Sequence, residues 1–282
     1  MKETEPIEFN SKVAPLLTTI NKPLRYTGNE FKKKQKNLTQ VDTKIGLAFP
    51  DLYDIGMGYY GLQILYHILN KEKNIAAERV FAPWPDFEEQ LRDNSVPLYT
   101  LENKLPLNQL DIVGFSLTYE LSYTNVLNML ELGGIPIWQK NRSEEDPFVI
   151  AGGGSVFNPE PMAPFFDCFI IGDAENIVVD IAREITEQKQ KEVGRKKILA
   201  GLAERYDSIY VPALYNVEEK NGFLITKPIS LKFPERVRAN KIKNLSNRYY
   251  PKEPIIPFIQ SAQDRMVVEI MRGCTQGCRF CQ

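Results

Sequence analysis

This sequence has almost no histidine, few cysteines, no excess of charge and no long apolar run. His67 is its only histidine. The net charge is −1, so the field of the whole molecule selects neither an acidic nor a basic partner. No apolar run approaches the roughly 20 residues needed to span a bilayer. The opening, Met1 to Glu5, is polar and acidic, unlike a signal peptide. A cytoplasmic protein without a membrane partner is expected. A hydrophobic content of 43% is ordinary for a globular chain, and 282 residues suffice for one large or two small domains.

Of the four cysteines, three fall within the last nine residues, as Cys274, Cys278 and Cys281. A secreted disulfide framework would spread them along the chain. Cys168 stands alone in an apolar run and reads as a buried core thiol.

Residues 1–40 read as an extension, Lys-rich near 32–36, that either wraps the next domain or stays partly disordered. From residue 41 to 189, strand and helix patterns alternate. Strands are expected at 44–49, 78–81, 96–101, 111–117, 148–151 and 167–171. Helices are expected at 58–71, 85–93, 121–132 and 176–188. Such alternation predicts an α/β fold: a Rossmann-like or flavodoxin-like open parallel sheet with helices on both faces. Ligands of such sheets bind beyond the carboxyl ends of the strands. The turns at those ends span residues 50–56, 116–120, 152–158 and 172–175.

Residues 190–262 read as a small β-containing connector. Its Asn221-Gly222 pair is a hairpin signal. The basic stretches at 189–197 and 232–252 read as solvated faces, with RNA as the alternative, which Tyr249 and Tyr250 keep open. A last strand is expected at 265–270, running into Gly273-Cys274.

The terminal spacing is Cys-x3-Cys-x2-Cys. Cysteine thiolates hold [4Fe–4S] clusters, and three of them leave one iron open. Gly273 and Gly277 suit a loop wound tightly round such a cluster. Phe280 would shield one side of it and tune its potential. Structural zinc wants four ligands, and no fourth lies nearby.

This motif resembles the signature of the radical S-adenosylmethionine (SAM) superfamily. The resemblance implies that Cys274, Cys278 and Cys281 hold a [4Fe–4S] cluster whose open iron binds SAM. It further implies reductive cleavage to a 5′-deoxyadenosyl radical acting on an unknown substrate. A flavodoxin- or ferredoxin-like electron donor is implied as partner. Residues 263–282 would begin a (β/α) barrel that normally continues for some two hundred residues, so a fragment is expected, inactive alone.

The upstream segment resembles the cobalamin-binding domain often fused ahead of such barrels. The likeness rests on Gly152-Gly153-Gly154, Asn158-Pro159-Glu160-Pro161, Asp167 and Gly172-Asp173-Ala174-Glu175. It also rests on Asp51-Leu52-Tyr53-Asp54-Ile55-Gly56, where Tyr53 replaces the family's cobalt-binding histidine, and on Ser116-Leu117-Thr118. Asp51, Tyr53, Gly56, Ser116, Thr118, Gly152, Gly153, Gly154 and Glu175 are therefore expected on a cobalamin-like face. With Tyr53 there, the domain either binds cobalamin without a protein ligand to cobalt or recognises a substrate or partner instead.

Residue by residue, plainer roles compete. Asp51 and Asp54 beside Pro50 read as turn-capping carboxylates, and the same caution applies to Glu160 and Glu175. His67 reads as a solvated surface histidine and Trp84 as a packed aromatic. The competing functions are a substrate- or partner-binding module without catalysis and an RNA-binding protein with a structural metal site.

Overall fold

A computed structural model describes residues 4–245, 249–263 and 265–279. Phe280 and Cys281 lie outside the described residues. Eight strands are described: β1 Thr43–Phe49, β2 Ile75–Phe81, β3 Ile112–Ser116, β4 Phe148–Gly152, β5 Cys168–Ile170, β6 Ile209–Tyr210, β7 Tyr215–Lys220 and β8 Phe223–Pro228. The α-helices are α1 Tyr53–Gly56, α2 Tyr60–Lys71, α3 Pro85–Asp93, α4 Tyr123–Leu132, α5 Val178–Gln190 and α6 Arg195–Arg205. None of them is long and apolar enough to cross a membrane.

Six strands form one sheet in the order β2-β1-β3-β4-β5-β6. The first five are parallel, and β6 runs antiparallel at the edge beside β5. This is the open α/β sheet expected from the alternation, in flavodoxin-like order. Every residue of β1 is buried, as befits a central strand covered on both faces. Both α6 and β6 pack into this core through Ile198, Leu202 and Ile209, so the sheet extends past residue 189.

Asp167 ties the far end together. Its buried carboxylate meets Arg142 at 3.2 Å and Arg195 at 2.9 Å, and accepts the Val149 backbone N–H at 2.8 Å. Arg195, read from sequence as part of a solvated basic face, is therefore a buried structural cation. A second short sheet pairs β7 with β8 about Asn221 and Gly222, both at positive φ, which is the expected hairpin.

Two expected strands are not found. Residues 96–101 are buried but bond to scattered partners: Leu98 N–H to Leu132 O, Thr100 N–H to Leu105 O and Leu101 N–H to Arg79 O. Residues 265–270 likewise form no ladder among the described residues, and Met266, Val268 and Ile270 are exposed. Residues 96–101 reach only a single antiparallel bridge, Tyr99 with Pro106, and a strand needs a ladder of such pairs.

The N-terminal segment packs onto the sheet. Val13, Leu17 and Tyr26 enter the core, and Glu30 reaches β2. There Arg79, 1% exposed, meets Glu102 at 2.7 Å and Glu30 at 2.9 Å. Burial alone would raise the Glu30 carboxyl, but the Arg79 guanidinium outweighs it and holds the carboxyl below its ordinary value. Replacing one member of such a group strands its partners in a dry interior.

Arg79→Met is expected to lower the unfolding free energy by about 3–5 kcal/mol in urea titration. Because the folded Glu30 value is depressed, its contribution is complete above the ordinary value of 4.5 and is lost as pH falls through the lower folded value. Wild type is therefore expected to lose urea resistance below that pH, and Glu30→Gln to flatten that part of the profile.

Candidate functional site

The carboxyl edge of the sheet carries a cavity of about 850 Å³ between the sheet and helices α2 and α5. Its floor is apolar and comes from alternate residues of the central strands: Ile45 and Leu47, Ile112, Ile150 and Ile170. Its rim holds Ser116, Gly152, Gly153, Gly154, Asp173 and Glu175. Gly153 turns the chain at φ +112°, and a side chain there would strike the Leu117 carbonyl, 2.4 Å from the added carbon. Glycine is thus needed at position 153, where β4 leaves the sheet.

Five of the nine residues expected on the ligand face line this cavity: Ser116, Gly152, Gly153, Gly154 and Glu175. Asp51, Tyr53, Gly56 and Thr118 do not. Asp51 caps its own turn, accepting the Leu52 N–H at 2.7 Å. Asp54 forms ion pairs with Lys22 at 2.7 Å and Arg25 at 2.5 Å, anchoring the N-terminal segment. Gly56 lies against Phe81, whose ring is 2.4 Å from where a Cβ would stand. Tyr53 is 1% exposed and turned into the core, with its ring 5.3 Å from that of Phe81. Burial first, then the adjoining Glu30 carboxylate, push its hydroxyl pKa up.

A corrin fits these residues poorly. Tyr53 points away from the cavity, and no histidine lines it. His67 lies in a separate hollow of about 320 Å³ between α2, residues 32–34 and residues 251–255. It is not the solvated histidine expected: its Nε2 and the neighbouring Gln63 Oε1 are buried without a hydrogen-bond partner among the described residues. Burial, followed by Lys71, Lys34 and Lys252, lowers its pKa.

The remaining wall of the cavity comes from residues 239–242 and from Val267, Glu269, Arg272 and Gly273, at the entry to the cysteine motif. Arg272 is the centre of this wall. Its Nε donates to Glu269 Oε1 at 2.6 Å and its Nη2 to Glu269 Oε2 at 3.0 Å, a forked pair. Its Nη1 meets Asp173 Oδ1 at 3.1 Å, and its Nη2 also meets Glu175. Hydrogen bonding to Arg272 holds the Glu269 carboxyl below its ordinary range, against the effect of burial.

The carboxylates are themselves fixed. Asp173 accepts the Ile242 N–H at 2.7 Å. Gly172, at φ +89°, lets the backbone pass so close to Asn240 that an added Cβ would lie 2.2 Å from its carbonyl oxygen. Tyr250 donates to Glu269 at 2.8 Å and stacks on Tyr60 with ring centres 6.1 Å apart. Tyr249 is buried and so presents no open ring to a nucleic-acid base.

The sequence does not single out Arg272 or Glu269, and it marks Tyr250 only as an aromatic for RNA. The one signal was two acids, Asp173 and Glu175, in a turn with no cation near them in sequence.

Beyond Arg272, Gly273 turns at φ +84° into Cys274. Cys274 and Cys278 are free and exposed, and the Gln276 N–H donates to Cys274 Sγ at 3.4 Å. Exposed thiols and a backbone donor aimed at sulfur suit a cluster-holding loop. Cys168 is fully buried, and burial raises its pKa, as a core thiol requires. Trp84 is 45% exposed, with Arg25 5.8 Å from its ring, rather than packed inside.

A curated relative, the uncharacterized protein MJ0966 of Methanocaldococcus jannaschii, is 22% identical over 247 residues, covering 84% of this chain and 40% of the relative. The chain thus spans well under half of that protein's length. Residues 61–212, more than half of the chain and most of the sheet, match the family described as radical SAM proteins, N-terminal, and the chain belongs to that family.

Proposed function

We propose that the whole protein is a radical SAM enzyme in which Cys274, Cys278 and Cys281 hold a [4Fe–4S] cluster. The observation that carries this is the three-then-two cysteine spacing at the end of a segment pinned by Arg272 to the carboxyl edge of the sheet. When bound, such a cluster would supply one-electron reduction of SAM, which cleaves its C5′–S bond to methionine and a 5′-deoxyadenosyl radical able to take a hydrogen atom from a substrate. The electron comes from an external flavodoxin- or ferredoxin-like donor. A cytoplasmic location is part of this proposal, because a cluster held by thiolates needs a compartment that keeps thiols reduced.

The chain's own residues set the stage for that chemistry. Three thiolates leave one iron uncoordinated by protein. Arg272 fixes the backbone two residues before the first ligand and adds a positive charge nearby. The α/β domain presents its cavity to the same loop. A binding module without catalysis is the second reading, and the cavity alone favours it.

The full-length protein, rebuilt anaerobically with iron and sulfide, is expected to hold one cluster and to release 5′-deoxyadenosine from SAM under reduction. Cys278→Ala is expected to lose both, and a wild type that binds no iron would sink the proposal. Arg272→Ala is expected to keep its iron but to lose between about tenfold and 100-fold in 5′-deoxyadenosine formation, since a ligand displaced by an ångström disturbs the reacting geometry. Loss of a nearby positive charge also makes the cluster harder to reduce, so its potential is expected to fall, with Arg272→Lys recovering part of the shift. An Arg272→Ala protein with wild-type potential and turnover would show that the clamp is only structural.

A further inference from the structure

The core of a covered parallel sheet is normally filled by Val, Ile and Leu at close-packed density. Here two positions facing the helices hold glycine instead. Gly114 lies in mid-β3 and Gly152 at the end of β4, and both line the cavity. Neither glycine is forced by crowding: a Cβ at Gly114 would meet nothing nearer than the Gly46 carbonyl at 3.9 Å, and one at Gly152 nothing nearer than the Ile170 carbonyl at 3.9 Å. Neither has a positive φ. Steric need therefore does not explain these glycines, whereas space for a ligand does. A cavity of about 850 Å³ lies within the range of small-molecule sites, and left empty it would weaken the domain.

The lining defines the guest. The floor asks for a hydrocarbon body. Three hydroxyls on the wall, those of Ser116, Tyr59 and Tyr60, have no hydrogen-bond partner among the described residues. They meet a hydrogen-bonding head. Around the mouth stand three carboxylates, Asp173, Glu175 and Glu269, against two cations, Arg272 and Lys241. That balance disfavours an anionic head. No imidazole faces the space, so a metal-centred macrocycle gains nothing there.

We propose that this cavity binds a small amphipathic molecule, a hydrocarbon body with an uncharged or cationic hydrogen-bonding head. Only its role beside a cluster rests on the radical SAM reading; binding does not.

The test is a fluorescence titration of the full-length protein with N-phenyl-1-naphthylamine, which is neutral, and with 1-anilinonaphthalene-8-sulfonate, its anionic relative. The neutral probe is expected to bind at least about tenfold more tightly. Gly114→Leu, whose side chain would enter the cavity without backbone conflict, is expected to weaken it by at least about tenfold and to hold or raise the melting temperature, by analogy with cavity filling. In the unaltered protein, decylamine is expected to displace the probe and decanoate to leave it in place, a result that does not depend on the variant folding. Equal binding of the two probes, or displacement by decanoate as readily as by decylamine, overturns the proposal, as does undiminished binding in a folded Gly114→Leu protein. Iron content of the same samples reads the other proposal separately. Iron-free protein that binds the probe as described removes the radical SAM reading alone, and iron-loaded protein that does not bind it removes this one alone.

Discussion

One guanidinium joins the sheet to the cysteine motif. Arg272 meets Glu269 two strand-like steps before the first cysteine and, across about a hundred residues of chain, Asp173 and Glu175 at the end of β5. The four side chains are only 8–27% exposed, so the pairing is less screened than an ordinary surface ion pair. A forked arginine imposes direction as well as attraction, which an ammonium cannot do. Residues 265–270 form no ladder among the described residues, so Arg272 and the Tyr250–Glu269 hydrogen bond fix their course. Everything said of the site, from its cavity wall to the position of Cys274, depends on that anchoring.

The same logic recurs in the rest of the molecule. Arg79 binds the N-terminal segment to β2, Arg25 binds it to the turn after β1, and Arg195 with Arg142 closes on Asp167 below β5. Each arginine satisfies carboxylates that would otherwise be costly to bury. The charges that composition spreads evenly along the chain are gathered by folding into a few local knots, each holding a different segment to one sheet.

This explains which parts of the structure were legible in advance. Strand β1, helices α2 and α3, and the β7–β8 hairpin were readable because period and turn chemistry are local properties. The spacing of the three cysteines is a local property too, and their role as cluster ligands is a proposal. The role of Tyr53 was not: a motif position suggested a ligand face, while the Phe81 ring and the Glu30 carboxylate draw the side chain into the core. Glu30 and Arg25 looked like parts of a loose extension, since nothing near them in sequence reveals their partners. Residues 96–101 carry the composition of a strand, but their N–H groups are claimed by three separate carbonyls. Glu175 was placed on the right face for a different reason from the one that holds it there, which is Arg272.

Electron paramagnetic resonance of the dithionite-reduced full-length protein, recorded with and without SAM, addresses the central claim most directly. A cluster held by Cys274, Cys278 and Cys281 has one iron free to take the amino and carboxylate groups of SAM, and its g-values are expected to change when SAM is added. A cluster signal that SAM leaves unaltered, or no cluster signal at all, would contradict the assignment.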